Sequence, residues 1–279
     1  MPEMKRNFPL ILLFSVFIAY IGWWVYLNFL SEPGTPYHDY FTDSYGIIAG
    51  LGGIIGIGAA KKWGSLKSVF GRSVFVFSIG LLFQFLGQVS YAIYFYVYHI
   101  ENPYPSFGEV FYFGSIPIYI YAIWQLSIAV GAKFSRQSLL KKISAFVIPL
   151  GMMYISYALF LRDYEIDLES PITTFLDFGY PLGEAIFVAL AINTYWLSKN
   201  VLGGVLKNTV LLFLFGLVVQ YVADTLFLVQ TIEETWAAAG SSDLLFLISY
   251  FLMGFALALF GKTASNWFNA GEAAVAPKT

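Results

Sequence analysis

Eight apolar stretches dominate this sequence, and each is close to the length that a lipid bilayer imposes on a helix. A hydrocarbon core of about 30 Å takes roughly 20 residues at 1.5 Å rise, and inside it each backbone amide must be satisfied within its own segment. That ruler places spans at approximately Phe8 to Leu30, Ser44 to Ala60, Phe70 to Tyr98, Glu109 to Gly131, Ile143 to Leu161, Ile172 to Leu197, Thr209 to Val229 and Leu244 to Phe260. Only 11% of the residues are charged and 58% are hydrophobic, against about 25% charged in an average soluble domain. The expected fold is all-α: one eight-helix transmembrane domain over residues 1–262, followed by a short, frayed cytoplasmic tail at 263–279. Lys5 and Arg6 precede an apolar run too long for a signal-peptide core, with no small-residue cleavage site after it. They read as the flank of the first span.

The connections alternate in charge. Those after spans one, three, five and seven hold Glu32, Asp39 and Asp43, then Glu101, then Asp163, Glu165, Asp167 and Glu169, then Glu233 and Glu234. Arg162 is the one basic residue among them, whereas Lys61, Lys62, Lys67, Arg72, Lys133, Arg136, Lys141, Lys142, Lys199, Lys207 and Lys262 fall in the other connections and the C-terminal flank. By the positive-inside rule both termini are cytoplasmic and four hairpins point outward from a cell (inner) membrane. The net charge of −2 comes with no basic face, which argues against nucleic-acid binding. With no cysteine, thiolate metal sites and cysteine nucleophiles are excluded.

Two of the hairpins look alike. Phe77 to Tyr91 reads FSIGLLFQFLGQVSY and Phe213 to Phe227 reads FLFGLVVQYVADTLF, which pairs Gly80 with Gly216, Gln84 with Gln220 and Gln88 with Asp224. Their partner segments pair Glu109 with Asp243 and Ser115 with Ser249, each acid standing at the start of a descending span. The expectation is internal parallel repeats of a two-helix unit. Pro117, Pro149 and Pro181 fall within spans, where each removes a backbone donor. Gly50, Gly52, Gly53, Gly56 and Gly58 in the second span would let another helix approach closely.

Within the sixth span, the segment from Asp177 to Glu184 puts two carboxylates in an otherwise apolar stretch. A carboxylate at mid-bilayer costs about 2.5 kcal/mol or more, so such residues face a bundle interior or a wet cavity. Asp177 and Glu184 share one helix face with Tyr180. Counted along their helices, these residues and Gln84, Gln88, Tyr91, Gln220 and Asp224 all lie in the outer half of the membrane. They are the candidates for an outward-opening polar pocket; the competing reading makes the acids hydrogen-bonded glue between helices. For Glu109, Asp243 and Asp43 the simpler role is capping of a helix N-terminus. His38 and His99 have the chemistry for paired haem ligation, yet they stand among Tyr37, Tyr40, Tyr96 and Tyr98, the setting of an interfacial aromatic belt. No His-rich metal motif, phosphate loop or nucleophile elbow is present, so neither a cofactor nor enzymatic activity is expected.

From about Gly71 to Phe260 the sequence resembles the eight-helix membrane sensory region found at the N-terminus of bacterial proteins with diguanylate cyclase and phosphodiesterase domains. The motifs are Gly87-Gln88, where the family has Gly-Asp; Pro103-Tyr-Pro-Ser106-Phe-Gly-Glu109-Val-Phe-Tyr112 followed by Ile116-Pro117; Tyr180-Pro181-Leu-Gly183-Glu184; Ala223-Asp224; and Asp243. The sequence departs from the family at four positions: Gln for Asp at 88, Glu for Asp at 109 and 184, and Ile for Tyr at 116. The resemblance adds Glu109 and Tyr112 to the ligand-facing set. It also implies a sensor-type domain, here ending before the cytoplasmic output domains into which the family continues.

The expected function is a membrane receptor or sensor-like domain that binds a small ligand, lipid or ion in its outer half and signals through a separate partner. The alternatives are a proton-coupled transporter or carrier using the same acids, and a structural subunit of a larger membrane complex.

Overall fold

The computed structural model describes residues 2–100, 103–131, 139–162, 169–198 and 206–275. Glu101, Lys133, Arg136, Asp163, Glu165, Asp167 and Lys199 of the charge pattern lie outside them. Among the described residues every regular element is helical, and eight helices are long and apolar enough to cross a membrane. The chain is a multi-pass membrane protein.

Span one is α1 (Pro2–Phe29). Span two is two helices, α2 (Pro36–Ser44) and α3 (Ile47–Lys62), broken at Tyr45 and Gly46. It therefore begins well before the expected Ser44. Pro36 at the first helical position has the φ that a helix start needs, while Thr35 before it is extended. The Ser44 hydroxyl donates to the Tyr40 carbonyl at 2.6 Å, and the Ser44 carbonyl accepts from the Tyr20 hydroxyl at 2.9 Å, so this carbonyl is held by α1. At Gly46 a Cβ would meet the Gln88 amide, which would have to move aside.

The remaining spans are α4 (Val69–Tyr96), α5 (Gly108–Ala129), α6 (Leu139–Ser156) with a π-helical turn at Tyr157–Leu161, α7 (Pro171–Ser198), α8 (Leu206–Ile232) and α9 (Ser241–Val275). Ser68 caps α4 by accepting the Gly71 N–H at 2.9 Å while donating to the Trp63 carbonyl. The frayed tail expected from residue 263 is instead a continuation of α9 to Val275. Its first turns are held by Lys62, whose Nζ donates to Ser265 at 2.9 Å, and by Trp63, which packs edge-on against Trp267 at 5.3 Å.

Helices α3, α4, α5, α7, α8 and α9 each pack on the next, and α9 packs back on α3 to close a ring. α1 lies outside against α9 and α3, and α6 lies outside against α7. Phe146, Leu150 and Tyr154 of α6 are accordingly exposed, as lipid-facing side chains are. The glycine run of α3 sits between two neighbours. A Cβ on Gly52 would stand 2.8 Å from the Gly254 Cα of α9, and one on Gly53 would stand 2.8 Å from the Ser78 carbonyl of α4. These contacts are the close approach that small residues permit in membranes.

The two ends of the bundle differ. At one end Lys61, Lys62, Lys67, Arg72, Lys207 and Lys262 gather, with Trp63 donating to the Phe260 carbonyl at 3.0 Å. The other end carries Glu32, Asp39, Asp43, Glu169, Glu233 and Glu234. There Trp24 and Asn28 of α1 donate to the carbonyls of Gly240 and Ala239 at 3.2 and 3.0 Å. The axis of the basic half is filled by aromatic rings, including Phe77 against Phe213 at 4.0 Å and Phe70 edge-on to Phe260 at 5.1 Å. Toward the acidic end this apolar column gives way to polar side chains.

Candidate functional site

The polar side chains of the acidic half fall into three groups rather than one ring. At the centre is a network that crosses five helices. Gln84 of α4 donates through Nε2 to Ser115 of α5 at 2.8 Å, and its Oε1 accepts the hydroxyl of Tyr250 of α9 at 2.9 Å. Tyr250 also meets Gln220 of α8. Gln220 in turn accepts from the Ser249 hydroxyl at 2.9 Å and donates to Asp224, one turn along, at 3.0 Å. Asp224 is half-buried as a residue, with its carboxyl turned onto Gln220 and onto the carboxyl of Glu184 of α7, with which it is in hydrogen-bonding contact. Glu184, Gln84, Gln220 and Ser249 are all buried.

The backbone explains why these groups meet. Gly80 leaves no room for a Cβ under the Tyr119 ring, and Gly216 would place one 2.8 Å from Met253, so α4 and α8 each lie tightly on their following helix. At Gly183 a Cβ would stand 2.8 Å from Ile116, so α7 comes against α5 one residue before Glu184.

The second group surrounds Glu109 at the start of α5. Its two carboxylate oxygens accept the hydroxyls of Tyr91 of α4 and Tyr180 of α7. The expected capping role is thus replaced by a link between three helices, and the N–H of Gly108 at the start of α5 donates instead to the Ser106 hydroxyl at 3.1 Å. Tyr112 packs on Tyr91 with ring centroids 5.9 Å apart and lies over Gly87. Nearer the surface, the Tyr104 hydroxyl donates to Asp177 at 2.6 Å, which ties the connection between α4 and α5 to α7. Burial, and then the bond to the Asp177 carboxylate, push the Tyr104 phenol above its ordinary value, so it remains a donor.

The third group joins α2 to α9. Asp243 is buried and accepts the Thr42 hydroxyl at 2.6 Å and the Ala239 N–H at 2.9 Å. Gln88 donates to the Thr42 carbonyl, and its Oε1 is buried without a partner among the described residues. Asp243 thus closes the turn before its helix and holds a neighbour as well, more than the capping role expected from its position.

Of the ten candidate residues, Gln84, Glu184, Gln220 and Asp224 share the central network. Tyr91, Glu109, Tyr112 and Tyr180 share the second group, Asp177 lies above it with Tyr104, and Gln88 belongs to the third. Asp177 and Glu184, seven residues apart on one face, engage different neighbours. Ser115, Ser249, Tyr250, Tyr119 and Thr42 were not among the candidates. The alignment of the two hairpins already pairs Ser115 with Ser249, which is the signal that finds those two; nothing distinguishes Tyr119 or Tyr250 among the 20 tyrosines. His38 is engaged by Thr35 at 3.0 Å and His99 is exposed, so neither belongs to these groups.

Among the described residues none of Glu109, Glu184, Asp224 and Asp243 pairs with Lys, Arg or His. Their partners are hydroxyls, amides and one another. Two carboxyls brought together in an apolar bundle make the Glu184–Asp224 contact the place where a shared proton would spare one buried charge.

Comparison of the chain with protein-family models, with curated proteins and with solved structures returns no match.

Proposed function

We propose that this chain is a membrane sensor-like domain whose responsive element is the network from Gln84 to Glu184. The observation that carries the reading is the Glu184–Asp224 contact at the end of a hydrogen-bonded path through α9 to α4 and α5. A change of proton or ligand at that pair alters bonds on five helices together, which is what a shift between two packings of a bundle requires. Pro117 and Pro181 interrupt the hydrogen-bond ladders of α5 and α7, the two helices on which Ser115 and Glu184 stand. The signal passes to a separate cytoplasmic or membrane partner. The motif resemblance to a bacterial membrane sensory region points the same way.

Two finer features belong to this reading. The hairpins α4–α5 and α8–α9 are parallel copies of one unit, supported by the matching Gln84–Ser115 and Gln220–Ser249 bonds and by Gly80 under Tyr119 where Gly216 lies under Met253. Both termini face the cytoplasm, supported by the gathering of basic residues at one end. A proton-coupled carrier is less well supported. The basic half buries Ser73, Gln125, Asn193 and Thr209, yet among the described residues no carboxyl, Lys, Arg or His is buried there to relay a proton onward.

The chain has no cysteine, so paired spin labels can be introduced at will. Labels at Ala129→Cys and Lys207→Cys, both exposed at the basic end, report whether α5 and α8 move together. The expected outcome is a changed distance distribution when Glu184→Gln and Asp224→Asn are introduced into folded protein. An unchanged distribution would mean that the acids only brace the helices.

A further inference from the structure

We propose that the Glu184–Asp224 pair is the core of a binding site for a small monovalent cation, which enters in exchange for the proton that the two carboxyls share. The inference names the ligand class of the network described above, and it rests on the sensor reading only for what the bound ion then does.

The charge arithmetic favours such an exchange. With one proton between them the two carboxyls carry a net charge of −1; with the proton gone and a sodium ion in its place the charge is still −1. The exchange therefore leaves the buried charge unchanged and avoids the desolvation cost of altering it inside an apolar bundle. Written in full, a sodium ion and the protonated pair give the sodium-bound dicarboxylate and one released proton. A divalent ion wants 6–8 oxygens, often from several carboxylates, and the described residues offer no cluster of three acidic or histidine side chains that could hold one.

The second observation is independent of the acids. Tyr119 of α5 is 1% exposed, and its hydroxyl has no hydrogen-bond partner among the described residues. The ring is fixed against Gly80 and packs against Phe77 and Phe187 at 6.1 and 6.0 Å, so the hydroxyl cannot swing away to find water. These contacts place the ring about one helical turn from Glu184 on α7 and from Gln84 on α4. An orphaned buried hydroxyl at this level of the bundle offers the third oxygen that a coordinated ion, or a water on that ion, would satisfy. The other groups nearby are Gln220 on the helix of Asp224, Tyr250 of α9 with Gln84 of α4 behind it, and Tyr45, whose ring stacks on Tyr250 at 6.1 Å. Among the described residues no cationic side chain stands there to compete with an ion.

The test uses the full chain in detergent, weakly buffered near neutral pH with an indicator dye, and compares sodium chloride with choline chloride at equal ionic strength. Sodium is expected to release up to one proton per chain in a saturable way, and choline none. Glu184→Gln removes the release. Tyr119→Phe keeps the ring packing and the proton but raises the half-saturating sodium concentration by about tenfold, the loss of one modest ligand contact. Release by both salts alike, no release by either, or an unshifted half-saturation in folded Tyr119→Phe each overturns the proposal. Sodium-driven release with an unmoved 129–207 distance would keep the site and sink the sensor reading; a moved distance without release would do the reverse.

Discussion

Replacing Asp224 by alanine strands two buried groups at once: the Gln220 amide that donates to it at 3.0 Å, and the Glu184 carboxyl in contact with it. A buried polar group left unsatisfied costs about 1–3 kcal/mol, so Asp224→Ala should destabilise by roughly 2–6 kcal/mol. Hydrogen bonds between membrane helices couple by only about 0.6 kcal/mol on average, because the unfolded chain in lipid also finds partners. The orphaned groups, rather than the lost bonds, therefore dominate the expected cost. Asp224→Asn retains an acceptor oxygen of the same size and should lose no more than about 1–2 kcal/mol. The double variant Asp224→Ala with Gln220→Ala should cost less than the sum of the two singles by about 0.5–3 kcal/mol, since each single already removes the partner of the other. Equilibrium unfolding in mixed micelles, followed by the fluorescence of the chain's 7 tryptophans, measures all four. If Asp224→Ala stays within about 0.5 kcal/mol of the parent, or the double variant is strictly additive, the network is not the bonded unit described here.

Four further outcomes are expected. Gly52→Leu drives a side chain into the Gly254 backbone of α9 and should lower the melting temperature by the equivalent of about 1–3 kcal/mol, whereas Gly58→Ala, with nothing within 4 Å of its Cβ, should be neutral or slightly stabilising. Thr42→Val removes the hydroxyl that bridges Asp243 and the Ala239 N–H, and should speed amide exchange at Ala239 without unfolding the bundle. Tyr104 is raised above the ordinary tyrosine value of 10.0, so its bond to Asp177 should persist through neutral pH and be lost only as alkaline pH ionises the phenol; Tyr104→Phe should speed exchange in residues 103–107 at every pH. Cysteines placed at Glu32 and Glu233 should react with an impermeant maleimide on intact cells, and one at Lys61 only after permeabilisation; the reverse pattern inverts the proposed topology.

The eight spans are readable in the sequence because a bilayer demands runs of apolar residues that few other environments tolerate. Where the sequence misleads, local apolarity and backbone geometry part company. Pro36 to Ser44 is too polar to register as part of a span, yet Pro36 starts a helix there and Phe41 is buried beneath it. The tail after residue 263 lacks an apolar run, yet Lys62 and Trp63 hold its beginning onto the bundle. Within the site, helical spacing correctly puts Asp177 and Glu184 on one face. It cannot say that α5 and its preceding loop meet the part of that face nearer the acidic end while α8 meets the part nearer the middle of the bundle, because the order of helices around the ring is a tertiary property. Repetition carries more information than spacing: the hairpin alignment pairs both glutamines and both serines that the structure bonds across helices. Tyr119 and Tyr250 become visible only by their surroundings, since one hydroxyl lacks a partner and the other links two glutamines.

Infrared difference spectroscopy of carboxyl groups tests most directly whether Glu184 and Asp224 hold one proton between them. At neutral pH the parent protein should show a protonated-carboxyl band that is absent from folded Glu184→Gln, because the amide then donates to Asp224 without a proton being held. Identical carboxyl spectra for the two proteins would contradict a shared proton and leave the pair without the function proposed for it.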